Sequence, residues 1–460
     1  MRDLTLDRLP LALLAFMALA MAHLFTGEPV LRNATHVAMA LVVLVAVPRL
    51  GLGEAYLLVL SVVLAGMLWI WHPEPGPAAL AALDQAAFLM AFVLLISLVQ
   101  EGAMTSRSVA ETGLYLARQP GGRRFCGLFG GTMAAAVVFN LGTLSLLAPL
   151  IRRAAEEEPD NPLTPTRERR QLNAVLRGFA WSVVWSPTAI APLTLLLLIE
   201  GIDRPLWIVL GFVLSLVMLA VGWAEDRWAW RGHTAEALGL PPVVRSPVPG
   251  RAVLRFLTVT AVFAGLTLGF MTLFGLGVPP ALMAAAPLLL VGWLWAQGAD
   301  APARLSEIFR IGLPATAPAA VTLGCAGFVG IAGATLVPSE ALADAVSLQS
   351  WPGWLFMLAT TLGVVALSQF GFSPIMMAVF FGAVLGSLPS LPAEPTLTAV
   401  AIAAGWSVST TISPFASGVI LLTRITGHSG RKLTYGWNRV FTALSVAVLA
   451  IAYWLMTGGT

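Results

Sequence analysis

The sequence predicts an all-α polytopic membrane protein with eleven transmembrane helices and two oppositely oriented re-entrant hairpins in an inverted repeat. Three observations carry this. Of 460 residues, 58% are hydrophobic and 11% charged, with a mean hydropathy of +0.85, a composition outside that of ordinary water-soluble domains. Apolar runs of roughly 20 residues, the length that spans about 30 Å of hydrocarbon, recur between short polar connections. The basic residues also fall consistently on alternate connections.

The spans lie near 9–25, 35–48, 54–71, 80–100, 178–199, 205–223, 256–276, 280–297, 311–337, 396–422 and 440–456. With a cytoplasmic N-terminus, Arg2 and Arg8 precede the first span. Arg49 follows the second, and Arg107, Arg118, Arg123 and Arg124 follow the fourth. Arg152, Arg153, Arg167, Arg169, Arg170 and Arg177 precede the fifth. The sixth is followed by Arg227, Arg231, Arg245, Arg251 and Arg255, the eighth by Arg304 and Arg310, and the tenth by Arg424, Arg431, Lys432 and Arg439. Of the 26 Lys and Arg, all but Arg32 and Arg204 then face the cytoplasm, and the C-terminus lies outside an inner (cell) membrane. The first segment is read as a retained helix, not a cleaved signal, because Asp3 and Asp7 dilute its basic start.

Two apolar stretches, 125–151 and 353–388, cannot be single crossings. If 125–151 crossed once, the six arginines of 152–177 would lie outside and every later connection would invert. The first stretch must therefore enter from the cytoplasm and return, and the second must do the same from outside. Two half-helices of about 12 residues, each about 18 Å long, reach the middle of the bilayer. Their turns are expected at "FNLGT", with Asn140, Gly142 and Thr143, and at "SQFGFSP", with Ser368, Gln369, Gly371 and Ser373.

Each hairpin follows a more polar segment read as an interfacial helix, 103–119 and 338–350, and precedes a span in which Trp-Ser-Val is followed by Ser-Pro. These read "AWSVVWSPTAIAP" from Ala180 and "GWSVSTTISPFASG" from Gly405. Proline removes a backbone donor and obstructs the preceding turn, so Ser186-Pro187 and Ser413-Pro414 should break their helices inside the membrane. Inverted repeats of secondary transporters place substrate and ion sites where such broken helices meet. The organisation expected is a first helix at 1–34, a first repeat at 35–223, a cytoplasmic linker at 224–255 and a second repeat at 256–456. The first repeat holds hairpin 125–151 and broken helix 178–199; the second holds hairpin 353–388 and broken helix 396–422. Candidate ligands for a substrate or ion are Asn140, Gly142, Thr143, Ser186, Pro187, Thr188, Ser368, Gln369, Gly371, Ser373, Ser409, Thr410, Thr411, Ser413 and Pro414, rich in the hydroxyl, amide and backbone groups that hard cations and anions use.

These features resemble the ion transporter superfamily, and most closely its divalent anion/sodium symporter branch. That branch carries a Ser-Asn-Thr motif at each hairpin tip, followed by Ala-Thr and later a proline. In 139–150, "FNLGTLSLLAPL", Asn140, Thr143 and Pro149 match it while Phe139 and Leu141 replace Ser and Thr; in 368–377, "SQFGFSPIMM", Ser368 is kept and Gln369 and Phe370 stand for Asn and Thr. The resemblance implies a homodimer, an elevator motion of a transport part against a scaffold, and Na+ as the coupling ion at Asn140, Thr143, Ser368 and Gln369.

The function expected is secondary active transport of a small anion, coupled to Na+ or H+, with the lipid bilayer and a small solute or ion as partners and no nucleic acid. Alternatives are a cation/proton antiporter of the same superfamily, to which Asp84, Glu101 or Glu200 would have to contribute, an intramembrane enzyme, or the large permease subunit of a binding-protein-dependent transporter. No nucleophile–base pattern or nucleotide-binding motif points to catalysis. The histidines 23, 36, 72, 233 and 428 lack metal-ligand spacing, and Cys126 and Cys325 read as core packing. Gly127 and Gly131 form a GxxxG read as close helix packing, and "GLPATAPAA" (312–320) is read as a kink.

Overall fold

The computed structural model describes residues 8–117, 119, 121–157, 160–232, 248–298 and 300–459. Arg2, Arg118 and residues 233–247 of the expected linker, with His233 and Arg245, lie outside these. The described chain is helical throughout, the expectation for a layer in which backbone groups have no water to bond. Among the described residues nine helical stretches are long and apolar enough to cross a membrane. The remaining two of the eleven expected crossings are the shorter apolar helix Ala55–Trp71 and the broken helix near 178–199.

The helices form two compact units, and neither follows the division into sequential repeats. One comprises residues 8–106 and 257–338, the other 107–256 and 339–459. Each unit thus takes one part of each repeat.

In the first unit, α1 (Leu9–Thr26), α2 (Pro29–Ala46), α3 (Leu52–Trp71) and α4 (Pro75–Met104) are joined by most of α11 (Gly250–Phe274), α12 (Val278–Gln297), α13 (Ala301–Glu307) and α14 (Leu313–Leu336). α14 packs against α3 and α4. Gly324 and Gly327 permit this, because a Cβ there would stand 3.4 Å from Ala86 O and 3.1 Å from Gln85 O. The kink expected at 312–320 is a π-helix, Ile308–Gly312, just ahead of Pro314; α14 then runs through Pro318. A bond of 2.9 Å between His36 and Asp84 ties α2 to α4.

The second unit contains α5 (Arg107–Ala117), the helix expected to lie in the interface, then α6 (Gly121–Phe139) and α7 (Gly142–Glu156), the two arms of the first hairpin. Next come the halves of a broken helix, α8 (Thr164–Ser182) and α9 (Ile190–Leu198), and a long helix, α10 (Arg204–Ala229). After the short α15 (Ser339–Ala345), α16 (Gly353–Ser368) and α17 (Pro374–Gly386) form the second hairpin, and α18 (Pro395–Ile412) and α19 (Ser417–Thr426) the second broken helix. A π-helix at Lys432–Gly436 leads into α20 (Arg439–Met456).

One packing scheme is used twice. The first arm of each hairpin lies along the first half of its own broken helix, α6 on α8 and α16 on α18. The second arm of each lies along the second half of the other, α7 on α19 and α17 on α9. α8 and α18 meet between them. The approaches are too close for a side chain at two points: a Cβ on Gly178 would stand 2.4 Å from Phe129 O, and one on Gly386 would stand 2.1 Å from Leu198 O. Gly131 of the GxxxG faces Leu116 of α5 in the same chain.

Replacing Gly178 or Gly386 by alanine should therefore force the helices apart at a cost of about 1–3 kcal/mol. Gly265→Ala, in α11 with nothing within 4 Å of its Cβ, should be neutral or slightly stabilising. Thermal unfolding of the detergent-purified protein checks this; equal melting temperatures for all three variants would contradict the packing.

Candidate functional site

The first hairpin turns at Asn140, which adopts a left-handed φ of 45°. Asparagine tolerates that conformation better than most side chains, and it ends α6 before α7 starts two residues on. The second turns at Gly371, φ 92°, with open space around it. Ser373 and Pro374 restart the chain: the Ser373 hydroxyl accepts from Met376 N at 3.3 Å and proline occupies the first helical position.

Pro187 and Pro414 lie in the non-helical turns between the halves of the two broken helices, at 183–189 and 413–416. The register of the repeat follows from what flanks them. Trp-Ser-Val at 181–183 and 406–408 stands at unequal distances from the two prolines, so those triplets are not equivalent. Counting from the prolines instead, both helices read Gly-x3-Ser-x3-Ser-Pro: Gly178, Ser182, Ser186, Pro187 and Gly405, Ser409, Ser413, Pro414. Spacing of four puts these on one stripe, and the stripe faces the hairpin. Gly178 lies against the backbone of Phe129 in α6, and a Cβ on Gly405 would stand 3.0 Å from Thr361 O and 2.8 Å from Val364 Cβ in α16. This repeated pattern was legible in the sequence and is obscured by the more conspicuous tryptophans.

Each break is tied to its own hairpin by a hydroxyl. Ser186 and Thr188 bond to each other at 3.0 Å, and the Thr188 hydroxyl donates to Val137 O just before the first tip. At the second break Ser413 Oγ donates to Ser368 O at 2.7 Å. The candidate residues thus assemble as two sets: Asn140, Gly142 and Thr143 with Ser186, Pro187 and Thr188, and Ser368, Gln369, Gly371 and Ser373 with Ser413 and Pro414. The second half of the second broken helix also reaches the first hairpin, where a Cβ on Gly418 would stand 3.1 Å from Leu144 Cδ1.

Ser409, Thr410 and Thr411 lie in α18 ahead of the second break, and most hydroxyls among all the candidates are already engaged. Thr410 donates to Trp406 O at 3.0 Å, Thr411 to Val408 O at 2.8 Å, and Ser368 to Val365 O at 2.7 Å. The Gln369 amide group donates to Val365 O and Ser368 Oγ, and its carbonyl accepts from Tyr435 OH at 2.8 Å. Two are not engaged. Thr143 in the first turn of α7 and Ser409 in the middle of its stripe are fully buried, and their hydroxyls have no hydrogen-bond partner among the described residues. Ser182, the counterpart of Ser409, is satisfied by Phe179 O at 2.7 Å.

Helix ends add a second feature. α7, α9 and α19 begin at a tip or a break without a side-chain cap; in α7 the Thr143 and Leu144 amides donate to Asn140 O and Leu141 O at 3.2 and 3.0 Å. Trp181 is buried with its indole N–H unpartnered among the described residues, and Trp185 packs edge-on against Phe212 at 5.0 Å.

Arginine does not enter the sets. Arg177, four residues before Trp181 and 1% exposed, bonds Glu225 at 2.8 Å and the Asn438 carbonyl at 2.8 Å, and lies 4.1 Å from the Phe441 ring. Arg170 clasps Asp226 through two bonds of 2.9 and 2.7 Å. Beyond the membrane segments Glu168 bonds Arg152 at 3.3 Å, and that bond holds the Arg152 guanidinium above its ordinary pKa. Arg424 is exposed.

No protein-family model matches the chain, and no curated protein sequence matches it. Among solved structures, the YdaH transporter of Alcanivorax borkumensis is similar in fold, with a TM-score of 0.55 at 14% identity over 89% of this chain and 98% of that one. At such identity the likeness is one of fold.

The hydroxyls divide by partner, and stability should divide the same way. Thr188→Val and Ser413→Ala each orphan a buried carbonyl and should cost about 1–3 kcal/mol, whereas Thr143→Val and Ser409→Ala remove no bond and should be near neutral. Ligand-free melting curves of the four variants decide; an equal loss in all four would contradict the bonding pattern.

Proposed function

We propose that the protein is a secondary active transporter that moves a small anion, an organic carboxylate or inorganic oxyanion, across the membrane by an elevator-type mechanism coupled to Na+ or H+. The observation that carries the reading is that two of the candidate hydroxyls in one compact unit are buried without a partner among the described residues: Thr143 in the uncapped first turn of α7, and Ser409 one turn before the second break. Burying a hydroxyl without a partner is costly, so a ligand that completes its bonding is the expected compensation. A fold similar to that of a solved transporter supports the class.

The chemistry of the lining narrows the solute. Hydroxyl oxygens suit a hard monovalent cation, and helix starts suit an anion. Na+ fits best beside Asn140 and Thr143, because Ser368 and Gln369 already have partners. With Arg177 and Arg170 committed to Glu225 and Asp226, a compact, weakly charged anion is favoured over a tricarboxylate. The unit containing both hairpins and both broken helices is the carrier, and the chain works as a homodimer in the inner membrane with its N-terminus in the cytoplasm and its C-terminus outside. The cation/proton antiporter reading lacks an acid among the candidate sets: Asp84 and Glu101 belong to the other compact unit, and Glu200 is exposed after α9.

The test is the melting temperature of the purified protein against Na+, K+ and a panel of carboxylates, sulfur oxyanions and neutral solutes. Binding to the native state stabilises it by about 2.7 kcal/mol at a hundredfold excess over Kd. A Na+-dependent shift with one anion class, lost in Asn140→Ala and Thr143→Val, is the expected result. A response to cations or pH alone, with no anion effective, would overturn the symport reading in favour of cation/proton antiport.

A further inference from the structure

The tip of the second hairpin makes a side-chain contact that the repeat does not explain. Gln369 ends α16, with its amide N–H groups turned back onto Val365 O at 2.9 Å and Ser368 Oγ at 3.0 Å, which presents its carbonyl outward. That carbonyl accepts the Tyr435 hydroxyl at 2.8 Å. Just beyond it Phe370 is 77% exposed, and a Cβ on Gly371 would meet no atom within 4 Å. The Tyr435 bond and the Ser413 bond to Ser368 O are the side-chain ties between this tip and its neighbours that the hydrogen bonds show.

Tyr435, 42% exposed, stands on a firmly held turn. It sits on the π-helix Lys432–Gly436, an irregularity with one residue more per turn than an α-helix. Its neighbours Leu433 and Thr434 are buried, and Thr434 Oγ1 donates to Gly430 O at 2.8 Å. Asn438 donates to Leu433 O at 2.7 Å and to Asn173 Oδ1 at 3.2 Å while accepting from Arg177, so the π-helix is anchored to α8. A donor carried on an anchored turn thus faces a tip with few other side-chain hydrogen bonds to its neighbours.

What the tip covers gives the contact a consequence. Ser409 lies between Gly405 and Ser413 on the stripe of α18 that faces α16, and those two contact Val364 and Ser368. The unpartnered Ser409 hydroxyl is therefore beneath the last turns of the arm that Gln369 ends. We propose that Tyr435 is the latch of the second hairpin: its bond to Gln369 holds the tip over Ser409, and release of that bond is the local opening through which a solute reaches this hydroxyl. The latch rests on reading this region as a solute site, yet it can be measured with no solute present.

The experiment is thiol labelling. In a background with Cys126→Ala and Cys325→Ala, Ser409→Cys is reacted with a small water-soluble methanethiosulfonate, with and without Tyr435→Phe. The substitution keeps the ring and removes the donor, so modification should be about fivefold faster, the effect of losing one neutral hydrogen bond on a local opening. Gln369→Leu, which breaks the same bond from the other side, should match it and serves if Tyr435→Phe does not fold. Thr132→Cys, buried in the first hairpin, should label at an unchanged rate. Equal labelling of Ser409→Cys with and without the Tyr435–Gln369 bond would overturn the latch. So would a parallel rise at Thr132→Cys, which would mean general loosening. Neither result bears on whether an anion shifts the melting temperature, so the transport reading and the latch fail separately.

Discussion

Backbone that leaves the helix inside a hydrocarbon layer can take its hydrogen bonds only from protein or from a wet cavity, and the unit that holds both hairpins and both broken helices is organised around that demand. Pro187 contributes no N–H, and the turns around it leave carbonyls of the first broken helix without helical donors. Side chains of two neighbouring helices supply donors there: Trp207 of α10 donates its indole N–H to Val184 O at 2.8 Å, Ser215 of α10 donates to Trp181 O at 2.7 Å, and Ser407 of α18 donates to Ala180 O, which also accepts from Val183 N, at 2.6 Å. A break of this kind stands only where neighbouring helices pass close enough to supply donors. The glycines permit that closeness, since a Cβ on Gly211 would stand 2.8 Å from Val184 O. Helix packing and broken helices are therefore one requirement.

The same logic separates structural hydroxyls from available ones. Thr188 and Ser413 spend their protons on hairpin carbonyls, and Thr410 and Thr411 bond back to their own helix, a familiar use of threonine within membrane helices. A hydroxyl-rich stretch is thus mostly self-consumed. What distinguishes the two halves is the middle of the stripe, where Ser182 finds Phe179 O and Ser409 finds nothing. Two sequences that match in pattern have diverged in the use of one side chain.

Much of this was legible in the sequence because it depends on local or one-dimensional signals. Arginine placement separated the hairpins from the crossings, Ser-Pro marked both breaks, and Asn140 and Gly371 marked the turns through their tolerance of positive φ. Long-range pairing was not legible. No spacing connects Tyr435 to Gln369 or Ser413 to Ser368, and each compact unit draws on two distant stretches of chain. The register of the repeat lies in the Gly-x3-Ser-x3-Ser-Pro pattern and not in Trp181 and Trp406, because the packing is decided by Gly178 and Gly405. The fate of individual hydroxyls, free in Ser409 and bonded in Ser182, depends on which carbonyl lies within reach after folding.

The position of the arginines completes the argument for a lining without fixed charge. A guanidinium facing an empty site at membrane depth would need a counter-charge or water at every stage, at a cost of several kcal/mol. In this chain Arg177 lies one turn before Trp181 but is neutralised by Glu225, bonded by Asn438 and stacked on Phe441. Leaving either ion of that pair alone would be costly, which fixes the end of α8. The sets at the tips and breaks retain only dipoles: hydroxyls, amides and the starts of α7, α9 and α19. Under the proposed function the carrier must cross the layer both loaded and empty. A lining of dipoles keeps the empty crossing inexpensive, because no uncompensated charge travels with it. On that reading the same lining holds an anion more firmly when a cation arrives with it, so the neutrality that favours the return step also favours coupling.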